Sequence, residues 1–174
     1  MKKPIIKTKR TELIIYRDGY ICLDGHCIIK ADLVQLDDSL MQDKVNNDIP
    51  FLFNSYNKTF GEAIPDLLAV IPKSQTNSYL LIDTNLQQQS FNSKKLVEAF
   101  YNEDLNKFIF FDVEYLKIFR DTKLLLSLRQ STPTSAATIY NDDLECLFVL
   151  MPCMIRDSFL HQIEHYLKPV EEVA

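Results

Sequence analysis

The chain has 174 residues, of which 47% are hydrophobic and 25% charged, a composition typical of one globular domain or of two small fused ones. It contains only 3 glycines and 7 prolines, which excludes collagen-like and low-complexity classes. Every apolar run is too short to span a bilayer, and Lys7, Lys9 and Arg10 interrupt the stretch where a secretory signal would lie. We therefore expect a cytoplasmic protein with no membrane partner.

The net charge of −5 is unevenly distributed along the chain. The first ten residues contain no acid and hold five cations: Lys2, Lys3, Lys7, Lys9 and Arg10. The rest of the chain is therefore more acidic than the total suggests. A basic arm on an acidic body predicts contact with phosphate or with the acidic face of a neighbouring subunit, and a solvated tail is the alternative.

The first half of the chain predicts a β-meander followed by a helix. Strands are expected at residues 12–17, 20–23 and 27–30. Asp18-Gly19 and Asp24-Gly25 separate them as favourable two-residue turns. Apolar residues at helical spacing predict an amphipathic helix over residues 31–45. Extended segments are expected at residues 50–53 and 67–71.

The second half alternates strands with three helices. Strands are expected at residues 78–83, 107–111, 123–129, 136–140 and 145–151. Helices are expected at residues 93–101, 113–120 and near 157–167, with Ser93 and Asp112 as N-caps of the first two. Hairpins dominate, and the regular strand–helix alternation of a parallel sheet is missing. The pattern therefore predicts an α+β fold of antiparallel sheets with a few helices.

Four cysteines lie on apolar, strand-like segments: Cys22, Cys27, Cys146 and Cys153. We expect reduced, buried thiols that pack as small apolar side chains. Their spacing lacks the C-x-x-C pairs typical of zinc sites, so neither a metal nor another cofactor is predicted from them.

Catalytic motifs are weak in this sequence. No glycine-rich phosphate loop or G-x-S-x-G elbow is present, and His26 is interpreted as a turn residue. His161, Glu164 and His165 match the H-x-x-E-H order of zinc peptidases, in which both imidazoles share one helix face. A third ligand is not evident. We predict no enzyme, and a metal-dependent hydrolase is the less favoured alternative.

Three segments of the chain carry a family resemblance. Leu23-Asp24-Gly25-His26-Cys27 is similar to T-D-G-H-R, and residues 64–72 match the spacing of F-P-D-Y-x-x-V-x-P. In the third segment, residues 110–155, the stretch that starts at Phe111 is similar to N-V-x-Y-L, and the stretch that starts at Phe148 is similar to Y-V-V-M-P-M-R. In this order they resemble the bacterial sliding clamp, the beta subunit of DNA polymerase III, over about half of the chain.

The resemblance implies a clamp fold, in which antiparallel sheets form the outside of a ring and helices line a hole around duplex DNA. It also implies a hydrophobic pocket that receives short peptides from replication proteins. The matching positions are Pro65, Val70, Val149, Met151 and Pro152. The alternative for these five residues is an ordinary core. Candidate phosphate contacts are the five cations of the arm together with Lys117 and Arg120.

This interpretation divides the chain into three parts. Residues 1–10 form the basic arm, residues 11–156 a clamp-like domain or two truncated halves (11–72 and 73–156), and residues 157–174 a helical extension. Because one chain supplies so little of a ring, encircling DNA would need a homo-oligomer of about three to six copies. The leading hypothesis is a non-catalytic, DNA-binding processivity or partner-docking factor of replication. The alternative is a protein-interaction module that keeps the fold without encircling DNA.

Overall fold

A computed structural model describes residues 2–6, 13–37, 51–54 (backbone only), 66–74, 77–89 and 95–154 of the chain. These residues form mostly antiparallel sheets with a few short helical turns, so the predicted α+β class is confirmed. The strands are β1 (Ile5–Ile6), β2 (Leu13–Arg17), β3 (Tyr20–Leu23), β4 (Cys27–Lys30), β5 (Gln35–Leu36), β6 (Phe51–Asn54), β7 (Tyr79–Leu80), β8 (Ile82–Gln89), β9 (Leu96–Asn102), β10 (Lys107–Asp112), β11 (Arg129–Gln130), β12 (Ala137–Tyr140) and β13 (Cys146–Leu150). The helical elements are α1 (Val113–Leu116) and the 3-10 helices Ala31–Leu33 and Lys123–Ser127.

The largest element is an antiparallel sheet of eight strands in the order β6-β2-β3-β4-β13-β12-β11-β7. Its N-terminal meander joins the C-terminal strands where β4 pairs with β13, with Phe148 opposite Ile29 and Val149 opposite Ile28. Strands from both ends of the chain therefore share one sheet. The domain boundaries drawn from the sequence stay predictions.

A second sheet of three strands, in the order β10-β9-β8, packs over one face of the large sheet. The core between them contains Phe100, Phe111 and Phe148, all fully buried. Phe119 stacks edge-on against Phe148 with ring centroids 4.7 Å apart. Burial of these aromatic side chains supplies much of the apolar area that holds the two sheets together.

The opposite face of the large sheet is also apolar, because side chains alternate along each strand. Ile15, Cys22, Ile28 and Val149 form a second cluster there, against which Leu67 and Ile71 of residues 66–72 pack. Residues 66–72 therefore dock on the large sheet from outside the sandwich. We call them the linker segment.

The predicted meander is confirmed, and the backbone conformation of its two turns accounts for the hairpins. Asp18 and Gly19 adopt φ values of 57° and 77°, and Asp24 and Gly25 adopt 53° and 72°. Such left-handed conformations match the twist of a tight hairpin, and Gly and Asp tolerate them best. The strands predicted at residues 50–53, 78–83, 107–111, 136–140 and 145–151 are also present with shifted ends, although Leu81 interrupts the second of these.

Two predicted helices are wrong. Residues 31–37, the described part of the first, form a 3-10 turn followed by β5, because Gln35 and Asp37 donate to the carbonyls of Pro4 and Ile6. Where the second helix is predicted, at residues 93–101, the described residues form β9. This is the central strand of its sheet, and residues 97–100 are buried on both faces. Tertiary pairing overrides helical spacing in both cases. Ser93 and the helix predicted near residues 157–167 lie outside the described residues.

Two predicted strands are also wrong. The linker segment forms turns, because Asp66 Oδ1 accepts from the amide of Leu68 at 3.1 Å and Val70 N donates to Leu67 O. Residues 123–129 form mainly a 3-10 helix, whose N-cap Thr122 accepts from the amide of Leu124. Apolar residues spaced three or four apart face the core in both segments. The helix predicted over residues 113–120 is correctly capped by Asp112, but α1 ends at Leu116 and residues 117–120 continue as turns.

We expect Phe148→Ala to lower the free energy of unfolding by about 3–5 kcal/mol, because it leaves a cavity between the two sheets beside Phe119. Denaturant titration followed by circular dichroism measures this change. Leu126→Ala removes a side chain that is 71% exposed and serves as the control, with an expected change below about 0.5 kcal/mol. Equal losses in the two variants would contradict this packing.

Candidate functional site

The turn between β3 and β4 is tied to the start of β2 by its aspartate. The Asp24 amide donates to Leu13 O, and Asp24 Oδ1 accepts from the amide of Leu13, each at 2.8 Å. This pair of bonds holds Asp24 in its left-handed conformation, which few residues other than Gly, Asn and Asp adopt readily.

Asp24 also bonds to α1, whose N-cap is a different aspartate, Asp112. Asp112 caps this helix by accepting from the amide of Glu114 at 2.9 Å. One residue further, the hydroxyl of Tyr115 donates to Asp24 Oδ2 at 3.2 Å, across 91 residues of sequence. Burial and the Asp24 carboxylate raise the pKa of Tyr115 well above its ordinary value, so the phenol remains a donor at neutral pH.

The chain leaves β13 beside this turn and crosses to the second sheet. The Met151 amide donates to His26 O at 2.9 Å, which extends the β4–β13 ladder by one bond. Two residues later, the Cys153 amide donates to Phe110 O of β10 at 2.7 Å. Residues 151–153 therefore bridge the two sheets at the end of the sandwich where the Asp24 turn lies.

A cleft of about 440 Å³ opens at this end of the molecule. It is lined by Leu13, Asp24, His26, Lys95, Asp112, Glu114 and Tyr115. The Lys95 ammonium lies 3.9 Å from Asp112 Oδ2. The lining thus holds three carboxylates and one ammonium, and Lys117 Nζ, 2.9 Å from Glu114 Oε1, compensates one of the three carboxylates.

The described residues contain no group of three or more His, Cys, Asp or Glu side chains that could hold a metal ion. His161, Glu164 and His165 lie outside the described residues, so the metal-hydrolase alternative stays untested. Burial raises the pKa of the Cys27 thiol well above its ordinary value and that of Cys146 to about 11. These two thiols are therefore protonated at neutral pH, in agreement with the expected packing role.

The predicted peptide-binding residues differ in exposure. Val149 is 5% exposed and packs in the cluster that Leu67 and Ile71 cover. Val70 is 63% exposed and Met151 41% exposed, whereas Pro152 is half-buried. Pro65 lies outside the described residues. The linker segment and Val149 of β13 thus belong to the same apolar cluster on the large sheet.

A hydrogen bond fixes the far end of the linker segment. The hydroxyl of Tyr140, on β12, donates to Pro72 O. At the near end, Leu67 is buried in the apolar cluster of the large sheet. These anchors hold the exposed residues of the segment, Leu68 and Val70, in one place on the large sheet.

The predicted DNA-binding residues have different surroundings. Lys2 and Lys3 are exposed, and Lys7, Lys9 and Arg10 lie outside the described residues. The remaining two are ion-paired. Lys117 Nζ lies 2.9 Å from Glu114 Oε1, and the Arg120 guanidinium bridges two carboxylates of the second sheet.

The Arg120 cluster is a charge network at the edge of the core. Its two terminal nitrogens lie 2.9 Å from Asp83 Oδ2 and 2.7 Å from Glu98 Oε2, and Gln87 donates to the same Glu98 oxygen at 2.8 Å. Burial and the Asp83 carboxylate raise the pKa of Glu98, whereas Gln87 and Arg120 lower it. Although burial opposes the positive charge of Arg120, Glu98 and Asp83 raise its pKa.

Sequence reasoning missed the roles of Asp24, Tyr115 and Glu98. Asp24 and Tyr115 both lie in segments that carry the family resemblance, but their contact joins distant positions in the sequence. Glu98 is 1% exposed, on a strand for which the sequence predicts a helix. A helical assignment gives no reason to expect a buried carboxylate opposite Arg120.

Comparison with known proteins gives no relative: the chain matches no protein-family model, no curated protein and no solved structure. In the part of the chain that the structure describes, no helix has the length and apolar character needed to cross a membrane.

The raised pKa of Glu98 has a consequence for stability. Because the folded state favours the protonated carboxyl, this group contributes stability that is complete below its ordinary value of 4.5 and is lost as the pH rises through the folded value. We therefore expect the wild type to gain stability relative to Glu98→Gln on acidification from neutral pH through 4.5. Denaturant titrations over this pH range measure the difference. Glu103→Gln, at an exposed position, is the control, and a pH-independent difference for Glu98→Gln would contradict the assignment.

Proposed function

We propose that this chain is a non-catalytic, clamp-like docking protein that serves DNA replication by binding short peptide segments of partner proteins. The observation that carries the proposal is the contact among the segments that resemble the sliding clamp. The Asp24 turn bonds to Tyr115 and to Met151 at one end of the sandwich, and the linker segment packs on the apolar cluster of the large sheet that contains Val149.

The exposed apolar residues around Val149 offer a docking surface. Met151 follows Val149 by two residues, beyond the end of β13, and its amide continues the ladder to His26. Because alternate residues of an extended chain share a face, Met151 lies on the linker side of the sheet. We define the docking surface by Leu68, Val70 and Met151, which are 53%, 63% and 41% exposed. Apolar side chains of a peptide would gain free energy by covering these three.

This surface is largely formed before a partner binds. The linker segment is anchored at Leu67, Ile71 and Pro72, and Met151 is held by a backbone bond. Pre-formed sites lower the entropic cost of association with a short peptide.

We expect Val70→Asp and Met151→Asp each to weaken peptide binding about tenfold or more, because a carboxylate replaces an apolar contact. The probe is a labelled peptide with two leucines and one phenylalanine among polar residues. Fluorescence anisotropy measures its affinity.

Leu144→Asp is the matched control for this experiment. Leu144 is 81% exposed in the turn between β12 and β13 and is not one of the three residues of the docking surface, so its substitution adds the same charge at another exposed leucine. A peptide in which alanine replaces the three apolar residues should not bind. Absence of wild-type binding, or equal losses in all three variants, would contradict the proposal.

A second candidate function is DNA binding through the basic arm, favoured by the exposure of Lys2 and Lys3. The arm differs from Lys117 and Arg120, whose charges are compensated by carboxylates within 3 Å. Because the lining of the cleft holds more carboxylates than ammonium groups, we place the phosphate backbone at the arm and not in the cleft. Encirclement of a duplex would further require about three to six copies of the 20.3 kDa chain.

If the arm binds DNA, affinity for a duplex of about 30 base pairs should fall steeply between roughly 50 and 300 mM salt, because neutralised phosphates release counterions. Replacing Lys2, Lys3, Lys7, Lys9 and Arg10 by alanine should flatten this slope by about 0.9 for each phosphate that the arm no longer neutralises. Lys107→Ala/Lys123→Ala is the control. A salt-independent signal, or an unchanged slope, would overturn this candidate. Light scattering on the same samples distinguishes a ring of several copies from open contact by a monomer.

A further inference from the structure

We infer that the hydrogen bond between Tyr115 and Asp24 is a latch that positions Met151, so that Tyr115 controls the docking surface without belonging to it. The inference rests on the proposed function for its consequence on peptide binding. Its structural part, the coupling of Tyr115 to Met151, is testable without any peptide.

The latch bonds to one oxygen of a carboxylate whose other oxygen already accepts a hydrogen bond. Asp24 Oδ1 accepts from Leu13 N, and Oδ2 accepts from the Tyr115 hydroxyl. One oxygen therefore fixes the turn relative to β2, and the other fixes it relative to α1. A hydrogen bond to a charged acceptor is stronger than a neutral one, so the Tyr115 contact limits how the turn can move.

The turn transmits this constraint to Met151 over two residues. His26 N donates to Leu23 O, which closes the turn, and His26 O accepts from Met151 N at 2.9 Å. Gly25, with φ of 72°, lies between Asp24 and His26. Displacement of the whole turn would carry the His26 carbonyl away from Met151, and the latch opposes that displacement by holding Asp24.

A second anchor lies close by and does not involve the turn. The Cys153 amide donates to Phe110 O within the second sheet. If the latch controls Met151 through the Asp24 turn, its loss should affect the Met151 amide and spare the Cys153 amide. These two amides, two residues apart, therefore separate a specific effect of the turn from general loosening of the sheets.

Tyr115→Phe removes the hydroxyl and keeps the ring, so the packing around α1 is preserved in the variant. Tyr101→Phe is a matched control, because the Tyr101 hydroxyl donates to Asn106 Oδ1 at 2.7 Å in the β9–β10 hairpin. Amide hydrogen exchange is measured by nuclear magnetic resonance on the full chain without peptide. The anisotropy titration with the leucine–phenylalanine peptide follows on the same variants.

We expect Tyr115→Phe to accelerate exchange of the Met151 amide about tenfold or more, as removal of one hydrogen bond to a charged group would do. Exchange of the Cys153 amide should change less than about twofold, and Tyr101→Phe should leave both amides unchanged. Peptide affinity should fall about threefold or more in Tyr115→Phe alone.

Unchanged Met151 exchange in Tyr115→Phe would overturn the inference. Equal acceleration at Met151 and Cys153 would overturn it as well, because the effect would then be general destabilisation. If exchange responds as expected but the wild type binds no peptide, the docking function fails while the coupling of Tyr115 to Met151 stands. If the peptide binds and its affinity is unchanged in Tyr115→Phe, the docking function stands and the latch does not control it.

Discussion

The pairing of β4 with β13 is the constraint on which the rest of the structure depends. It joins Ile28 and Ile29 to Val149 and Phe148, residues that are well over one hundred positions apart in the chain. Without this ladder, the N-terminal meander and the C-terminal strands would be separate small sheets, each with an exposed apolar edge. The contact is costly in loop entropy, so the apolar clusters on both faces must stabilise it.

Both faces of the large sheet are apolar, and this explains the position of the proposed docking surface. The second sheet covers one face with aromatic side chains, and the linker segment packs on the other through Leu67 and Ile71. A segment that buries every fourth residue must leave the residues between them outside. Val70 is therefore exposed while Val149 beneath the segment is core, although the family resemblance assigns both to one pocket.

The charges of Lys117 and Arg120 are compensated by carboxylates. Arg120 joins Asp83 and Glu98 between strands of the second sheet, where separating the pair would leave a buried carboxylate. The cleft beside Asp24 carries more carboxylates than ammonium groups. In the proposed DNA contact, the phosphate backbone would therefore meet the exposed Lys2 and Lys3 of the arm.

The sequence by itself determined the local features: the Asp-Gly hairpins, the alternation along β2, β3, β4 and β13, and the Asp112 cap. Each depends on the conformational preference of one residue or on a period of two, which neighbours in the sequence supply. Only the tertiary structure decided that residues 96–102 form a central strand and that residues 123–127 form a 3-10 helix. Their apolar spacing fits more than one element, and pairing with distant strands selects among them. The Tyr115–Asp24 bond belongs to the same class, because a contact across 91 residues has no local signal.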